Sequence, residues 1–235
     1  MNITLKFIIL IAFGYLLGNF SSAKFLSHLK KDDITKHGSG NPGTMNMLRN
    51  FGLKSGALTL VLDAVKGALP ALVGFLAFGG TAGGGMAYVG LYVGGLGAIL
   101  GHNFPVVYKF KGGKGVACML GIFLVARPLE TLIVIVGVFI YLCIFDYASF
   151  GSFLLITAMT IMEAIRINFE MYAFGIDIAL KVILFGMFFL CFFMHRQNIL
   201  RLLIGKENKV NLKKAMAKLG KKKQTKKENK QKEIG

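Results

Sequence analysis

The sequence predicts an all-α polytopic membrane protein with about seven transmembrane helices, the amino terminus outside and the carboxyl terminus in the cytoplasm. Three observations carry this. Of 235 residues, 54% are hydrophobic, and the mean hydropathy is +0.61, too apolar for an ordinary soluble domain. Apolar runs of helix-spanning length recur along the chain between short polar stretches. The lysines and arginines of those stretches fall almost entirely on one side of the bilayer once the runs are threaded through it, and that side is cytoplasmic by the positive-inside rule.

Taken in order, residues 3–27 form the first span. Ser21-Ser22-Ala23 mimics a signal-peptidase site, so a cleaved signal is the competing reading; the length of the run and its Gly14 and Gly18 favour an uncleaved helix. A polar stretch, 28–55, carries Lys30, Lys31, Lys36, Arg49 and Lys54. Further spans are expected at 56–78, 86–104, 115–127, 129–146, 149–166 and 174–194. The third has Gly90/Gly94 and Gly97/Gly101 in small-xxx-small register, which permits close helix contact. The fourth is short for a full span, and Pro128 supplies a natural break after it. The outer side carries only Arg127 and Arg166, so its helix ends read as nearly featureless.

The formal charge of +17 divides unevenly. Residues 206–235 hold 12 lysines against three glutamates, and residues 1–205 hold 16 Lys and Arg against eight acids. This separates a membrane domain, 1–205, from a Lys-rich cytoplasmic tail, 206–235, expected to be solvated. Attraction to anionic lipid is a further role for such a tail. It has no aromatics to stack on bases, so no nucleic acid is expected. Cys118, Cys143 and Cys191 lie inside apolar runs without C-x-x-C spacing, so neither a metal site nor a disulfide framework is expected.

Five polar blocks sit at or near the cytoplasmic face. In Lys109-Phe-Lys-Gly-Gly-Lys-Gly115, the glycines Gly112, Gly113 and Gly115 let backbone N–H groups approach an anion, and Lys109 and Lys114 supply charge. His102 precedes it. Lys114 is followed by glycine rather than Ser/Thr, which excludes a Walker phosphate loop. In His37–Gly52, Ser39, Gly40, Asn41, Gly43, Asn46 and Arg49 combine tight turns, directional hydrogen bonds and a guanidinium suited to bidentate phosphate binding; a polar connecting loop is the bland alternative. Asp63 and Lys66 share a helix face as an ion pair, from which Lys66 could also reach an anion. Ser149 and Ser152 at the next turn are phosphate donors or helix caps. His195, Arg196, Asn198 and Arg201 leave the last span, with His195, Asn198 and Arg201 at helical spacing, followed by Glu207. His28 and Asp33 match an H-x4-D acyltransferase pattern, but their surroundings do not, and the match is set aside.

In their order along the chain, these blocks resemble the acyl-phosphate-dependent glycerol-3-phosphate acyltransferases of bacterial membranes (PlsY type), over about residues 1–208. Met45 and Lys206 depart from the family's usual threonines. The resemblance implies acyl transfer from acyl phosphate to the 1-hydroxyl of sn-glycerol 3-phosphate, without a cofactor, in the bacterial cell membrane with the active site facing the cytoplasm. It also implies the first acylation of phospholipid synthesis. On this reading Lys114 and glycine amides neutralise the leaving phosphate, and Ser39, Arg49 and Ser149 hold a substrate phosphate. His195 and Asn198 orient glycerol 3-phosphate, and either His102 or a substrate phosphate carries the proton. Arg196 and Glu207 complete the site. The rival reading is a transporter or channel for phosphate-bearing solutes, which would need polar groups continuing to an external exit.

Overall fold

A computed structural model describes residues 2–170, 172, 173, 175–212 and 217. The expected tail beyond Leu212, and with it the anionic-lipid role, therefore lies almost wholly outside the described residues.

Ten α-helices and no strands make up the described chain: α1 (Ile3–Gly18), α2 (Ser22–His28), α3 (Thr44–Phe51), α4 (Leu53–Ala77), α5 (Gly84–Asn103), α6 (Val116–Ala126), α7 (Pro128–Phe145), α8 (Ala148–Phe169), α9 (Ile176–Met194) and α10 (Arg196–Leu203). Among the described residues, six stretches are long and apolar enough to cross a membrane: 3–28, α4, the region around α5, α7, α8 and α9. The remaining expected span, the fourth (115–127), is α6, which has 11 residues. At 1.5 Å per residue it reaches about 16 Å, half the thickness of the hydrocarbon core.

Helix α5 is central and packs against α1, α4, α6 and α9. Glycine makes this possible. A Cβ on Gly101 would run into the Tyr15 carbonyl of α1, and one on Gly94 into the Pro70 carbonyl of α4. In lipid, such backbone approach replaces the hydrophobic effect as the source of helix association. Helix α7 is the opposite case: Thr131 is its one buried residue, and most of its apolar side chains are exposed, as a lipid-facing helix requires, while Val134, Ile135 and Val138 pack on the core.

The first span is not continuous. It ends at Gly18 and restarts at Ser22, with Ser21 Oγ accepting from the Lys24 amide. The break follows from a buried cluster beside it. Lys66 Nζ donates 2.7 Å to the Phe20 carbonyl and lies 2.9 Å from Asp63, which accepts a 2.7 Å bond from Ser22 Oγ. Of the two roles open to Lys66, the structural ion pair is the one built.

The helix ends expected to face outside are not featureless. Arg127, between α6 and α7, pairs with the buried Glu163 of α8 at 3.0 Å and donates to Tyr88 Oη of α5 at 2.8 Å. Residues 36 positions apart meet here, which residue-by-residue charge reading does not reveal. The pair is internally satisfied, as a buried pair must be.

Candidate active site

Helix polarity brings the end of α5, the starts of α3, α6 and α8, and the end of α9 with α10 to one end of the bundle. A cavity of about 140 Å³ lies there, opposite the Arg127–Glu163 pair. Among the expected residues, Ser39, Asn41, Gly43, Asn46, Arg49, His102, Lys114, Gly115, Ser149, His195, Asn198 and Glu207 line it.

The 37–43 loop is shaped by Asn46, which is 2% exposed. Its Nδ2 donates to the carbonyls of Ile34 (3.2 Å) and His37 (2.9 Å), and its Oδ1 accepts from the Ser39 amide (3.3 Å) and Asn50 Nδ2 (3.0 Å). Asn46 is thus spent on positioning the loop that carries Ser39 and Asn41. Gly43 then caps the start of α3.

Across the cavity, the glycine-lysine stretch folds back on the end of α5. The Gly113 amide donates 3.0 Å to the His102 carbonyl, and a Cβ on Gly113 would strike His102 Nε2. Gly115 adopts φ +84°, a left-handed conformation that favours glycine, and α6 starts from it. Between them, Lys114 donates through Nζ to Asn198 Oδ1. Burial, with Arg201 adding to it, lowers the Lys114 ammonium to about 8. His102, 7% exposed, sits on the cavity floor with Nδ1 4.0 Å from Asp63 Oδ1.

Asn198 joins two walls, because its Nδ2 donates 2.9 Å to Glu207 Oε1 while Arg201 Nε donates 3.0 Å to Glu207 Oε2. His195 is 4% exposed and its Nδ1 lies 2.8 Å from the Cys191 carbonyl. A carbonyl only accepts, so Nδ1 carries the proton and Nε2 of the neutral ring keeps its lone pair. Burial, then Lys114, hold this imidazole down at about 4, so it is neutral in the physiological range. The Arg49 guanidinium, lowered from its ordinary value by burial, donates to the carbonyls of Asn208 (2.9 Å) and Lys209 (3.1 Å).

Ser149 Oγ is buried and has no hydrogen-bond partner among the described residues. The same is true of the hydroxyl of Thr44, a lining residue that sequence reasoning passed over because it stands in a turn of common composition. Two unpaired hydroxyls in a cationic cavity are donors awaiting an acceptor. Ser152 instead back-bonds to the Ala148 carbonyl at 2.9 Å.

Five expected residues stand elsewhere, among them Gly113, which packs against His102 behind the cavity wall. Gly40, Gly112 and Arg196 line an outer basin of about 360 Å³ together with Lys24 and Lys111. Arg196 itself lies over the Phe193 ring. Lys109 is exposed, has φ +53°, and lines neither cavity. Among the described residues no cluster of His, Cys, Asp or Glu could hold a metal ion.

Residues 8–205 match the family model described as glycerol-3-phosphate acyltransferase. The chain is 40% identical to the glycerol-3-phosphate acyltransferase of Finegoldia magna over 197 residues, covering 83% of this chain and 92% of that protein. It is 35% identical to the Aquifex aeolicus enzyme of the same name, over 87% of this chain and all of that one. Among solved structures it is similar to the crystal structure of PlsY, an integral membrane glycerol 3-phosphate acyltransferase, in its glycerol 3-phosphate form. The TM-score is 0.75 at 31% identity, covering 86% of this chain and 94% of that one. The lysophosphatidic acid form of the same protein superimposes with TM-score 0.74.

Proposed function

The chain belongs to the glycerol-3-phosphate acyltransferase family, and from that premise we propose that its acyl donor is an acyl phosphate and that the cavity at the inner end of the bundle is where transfer occurs. It is an acyltransferase of phospholipid synthesis that acylates glycerol 3-phosphate. The product is 1-acyl-sn-glycerol 3-phosphate, with inorganic phosphate as the leaving group.

The observation that carries this reading is a pocket holding Lys114, Arg49, Arg201 and two hydroxyls that, among the described residues, have no partner, with no nucleophile paired to a base among those residues. Such a set suits two phosphate-bearing substrates and a donor that is already activated. An acyl phosphate is a mixed anhydride, so the protein's task is to position it and neutralise charge. The glycerol O1 attacks the acyl carbon, the bond from that carbon to the phosphate oxygen breaks, and Lys114 with the neighbouring amides stabilises the oxyanion and the departing phosphate. His195 Nε2 and Asn198 orient glycerol 3-phosphate. Ser39, Arg49 and Ser149 hold a phosphate, with Thr44 as a fourth donor.

His102 has its two ring nitrogens against Gly113 and near Asp63, so it supports the loop, and a phosphate oxygen of the substrate takes the hydroxyl proton. The lysine and arginine distribution supports placing this end at the cytoplasmic face of the cell membrane. The acyl chain then lies among helices open to lipid.

The test is to supply the purified protein, in lipid, with labelled glycerol 3-phosphate and one donor at a time: acyl phosphate, acyl-CoA or acyl carrier protein. Product from acyl phosphate alone is the expected result. Preference for acyl-CoA would overturn the donor assignment.

A further inference from the structure

The family match ends at residue 205, yet the next seven residues do not leave the protein. They run back across the inner end of the bundle as a strap. Val210 and Leu212 are 2% and 6% exposed and pack with Leu48 of α3 and Ala148 of α8.

One residue anchors the strap. Asp146, in the turn between α7 and α8, accepts from the Asn211 amide on Oδ2 (2.9 Å), from the Leu212 amide on Oδ1 (3.1 Å), and from the Val210 amide on its backbone carbonyl (2.9 Å). All three of its acceptor atoms serve successive amides of a segment about sixty residues away in sequence. Immediately before that anchor, the Asn208 and Lys209 carbonyls receive Arg49 Nη2 and Nε. A guanidinium has five N–H donors in a rigid plane. Two taken by the strap leave three in a fixed orientation, on a residue that lines the cavity.

We infer that Asp146 is a positioning residue for Arg49: by pinning residues 210–212 it sets the Asn208 and Lys209 carbonyls, and these aim the remaining guanidinium N–H groups at the substrate phosphate. This rests on the reading that Arg49 holds a substrate phosphate. Its physical content is preorganisation. A free arginine side chain must lose rotamer freedom on binding, and one already held by two carbonyls has lost it in folding. The strap also supplies a second anchor to the same site, because Glu207 at its head bonds Asn198 and Arg201.

Asp146 has φ +66°, so alanine there would strain the turn as well as delete the carboxylate. Glycine keeps the turn and the backbone bond to Val210 and removes both side-chain acceptors; asparagine keeps the turn and one side-chain acceptor. The experiment is a double-mutant cycle on the full-length protein with R49K, D146G and R49K/D146G, and D146N as the conservative variant. For each, kcat and the KM for glycerol 3-phosphate and for acyl phosphate are measured. The expected result is that R49K raises the KM of one substrate about tenfold or more, the scale of a lost hydrogen bond to a charged group. D146G then raises the KM of that same substrate, with a smaller change in kcat. D146N falls between D146G and the parent, and the double variant is no worse than R49K alone, since the two changes remove one effect.

Unchanged KM values in D146G, or multiplicative effects in the double variant, overturn the inference while leaving Arg49 in place. Unchanged KM values in R49K overturn the Arg49 reading and the inference together. Should R49K not turn over, the same cycle is read from the rise in unfolding temperature that glycerol 3-phosphate or inorganic phosphate produces. Non-additive loss of that rise supports the inference, and additive loss overturns it.

Discussion

Lys114 and Glu207 are coupled through a single side chain: Asn198 accepts from the lysine ammonium on Oδ1 and donates to the glutamate on Nδ2. The residue from the glycine loop and the residue from the start of the strap therefore share an intermediary on α10. Replacing Asn198 with alanine leaves a buried ammonium and a buried carboxylate each short of a partner. The expected cost is about 1–3 kcal/mol in transition-state stabilisation, roughly a tenfold to hundredfold fall in kcat/KM. Steady-state assays on N198A, with membrane insertion verified by fractionation, check it; a change under twofold would remove Asn198 from the site.

The lowered Lys114 ammonium sets a pH dependence. A cation is needed opposite phosphate, so kcat/KM is expected to fall as pH rises through about 8, where free Lys114 loses its proton. Stability moves the other way. The group's ordinary value is 10.5, so between about 8 and 10.5 the unfolded chain binds more protons and folding gains with pH. Falling activity with undiminished thermal stability across that window is the signature. K114R should displace the alkaline limb to higher pH, and an unmoved limb would assign it to another group.

Gly113 is a steric requirement as well as a backbone donor. G113A puts a methyl group against the His102 ring, forcing the loop off α5. Overpacking of this kind costs about 1–3 kcal/mol. Thermal unfolding in detergent should show the loss, and turnover should drop further because Lys114 moves with the loop. Wild-type turnover in G113A would mean the loop can shift without consequence.

At the other end of the bundle, E163A strands Arg127. Removing one partner of a buried pair costs about 3–5 kcal/mol, whereas R127L/E163L removes both charges and should recover most of it. Since the pair lies away from the cavity, KM values in the folded fraction should stay at the parent level. A KM change in either variant would reveal a connection between the two ends.

Six of the seven expected spans and the five polar blocks were legible because each is local: apolar runs announce helices, and glycine with lysine or serine announces a turn near an anion. Their convergence on one end follows from alternation of direction through the bilayer. What could not be read are meetings across sequence distance. Arg127 with Glu163, Asp146 with residues 210–212, and Arg49 with Asn208 and Lys209 are visible only after folding. The side chain's direction also escapes sequence, so Lys109 and Arg196 have the right chemistry in the right block and face away from the inner cavity.

The interruption between Gly18 and Ser22 has a consequence for how these positions can evolve. The Phe20 carbonyl, freed by the break, and the Lys66 ammonium act as each other's solvent in a place where water is scarce. Repairing the helix would leave the ammonium with Asp63 as its one acceptor, and shortening the lysine would leave the carbonyl bare and Asp63 without its cation. Each change alone leaves a buried polar group short of a partner. Residues 19–21 and position 66 should therefore vary together across relatives, or not at all.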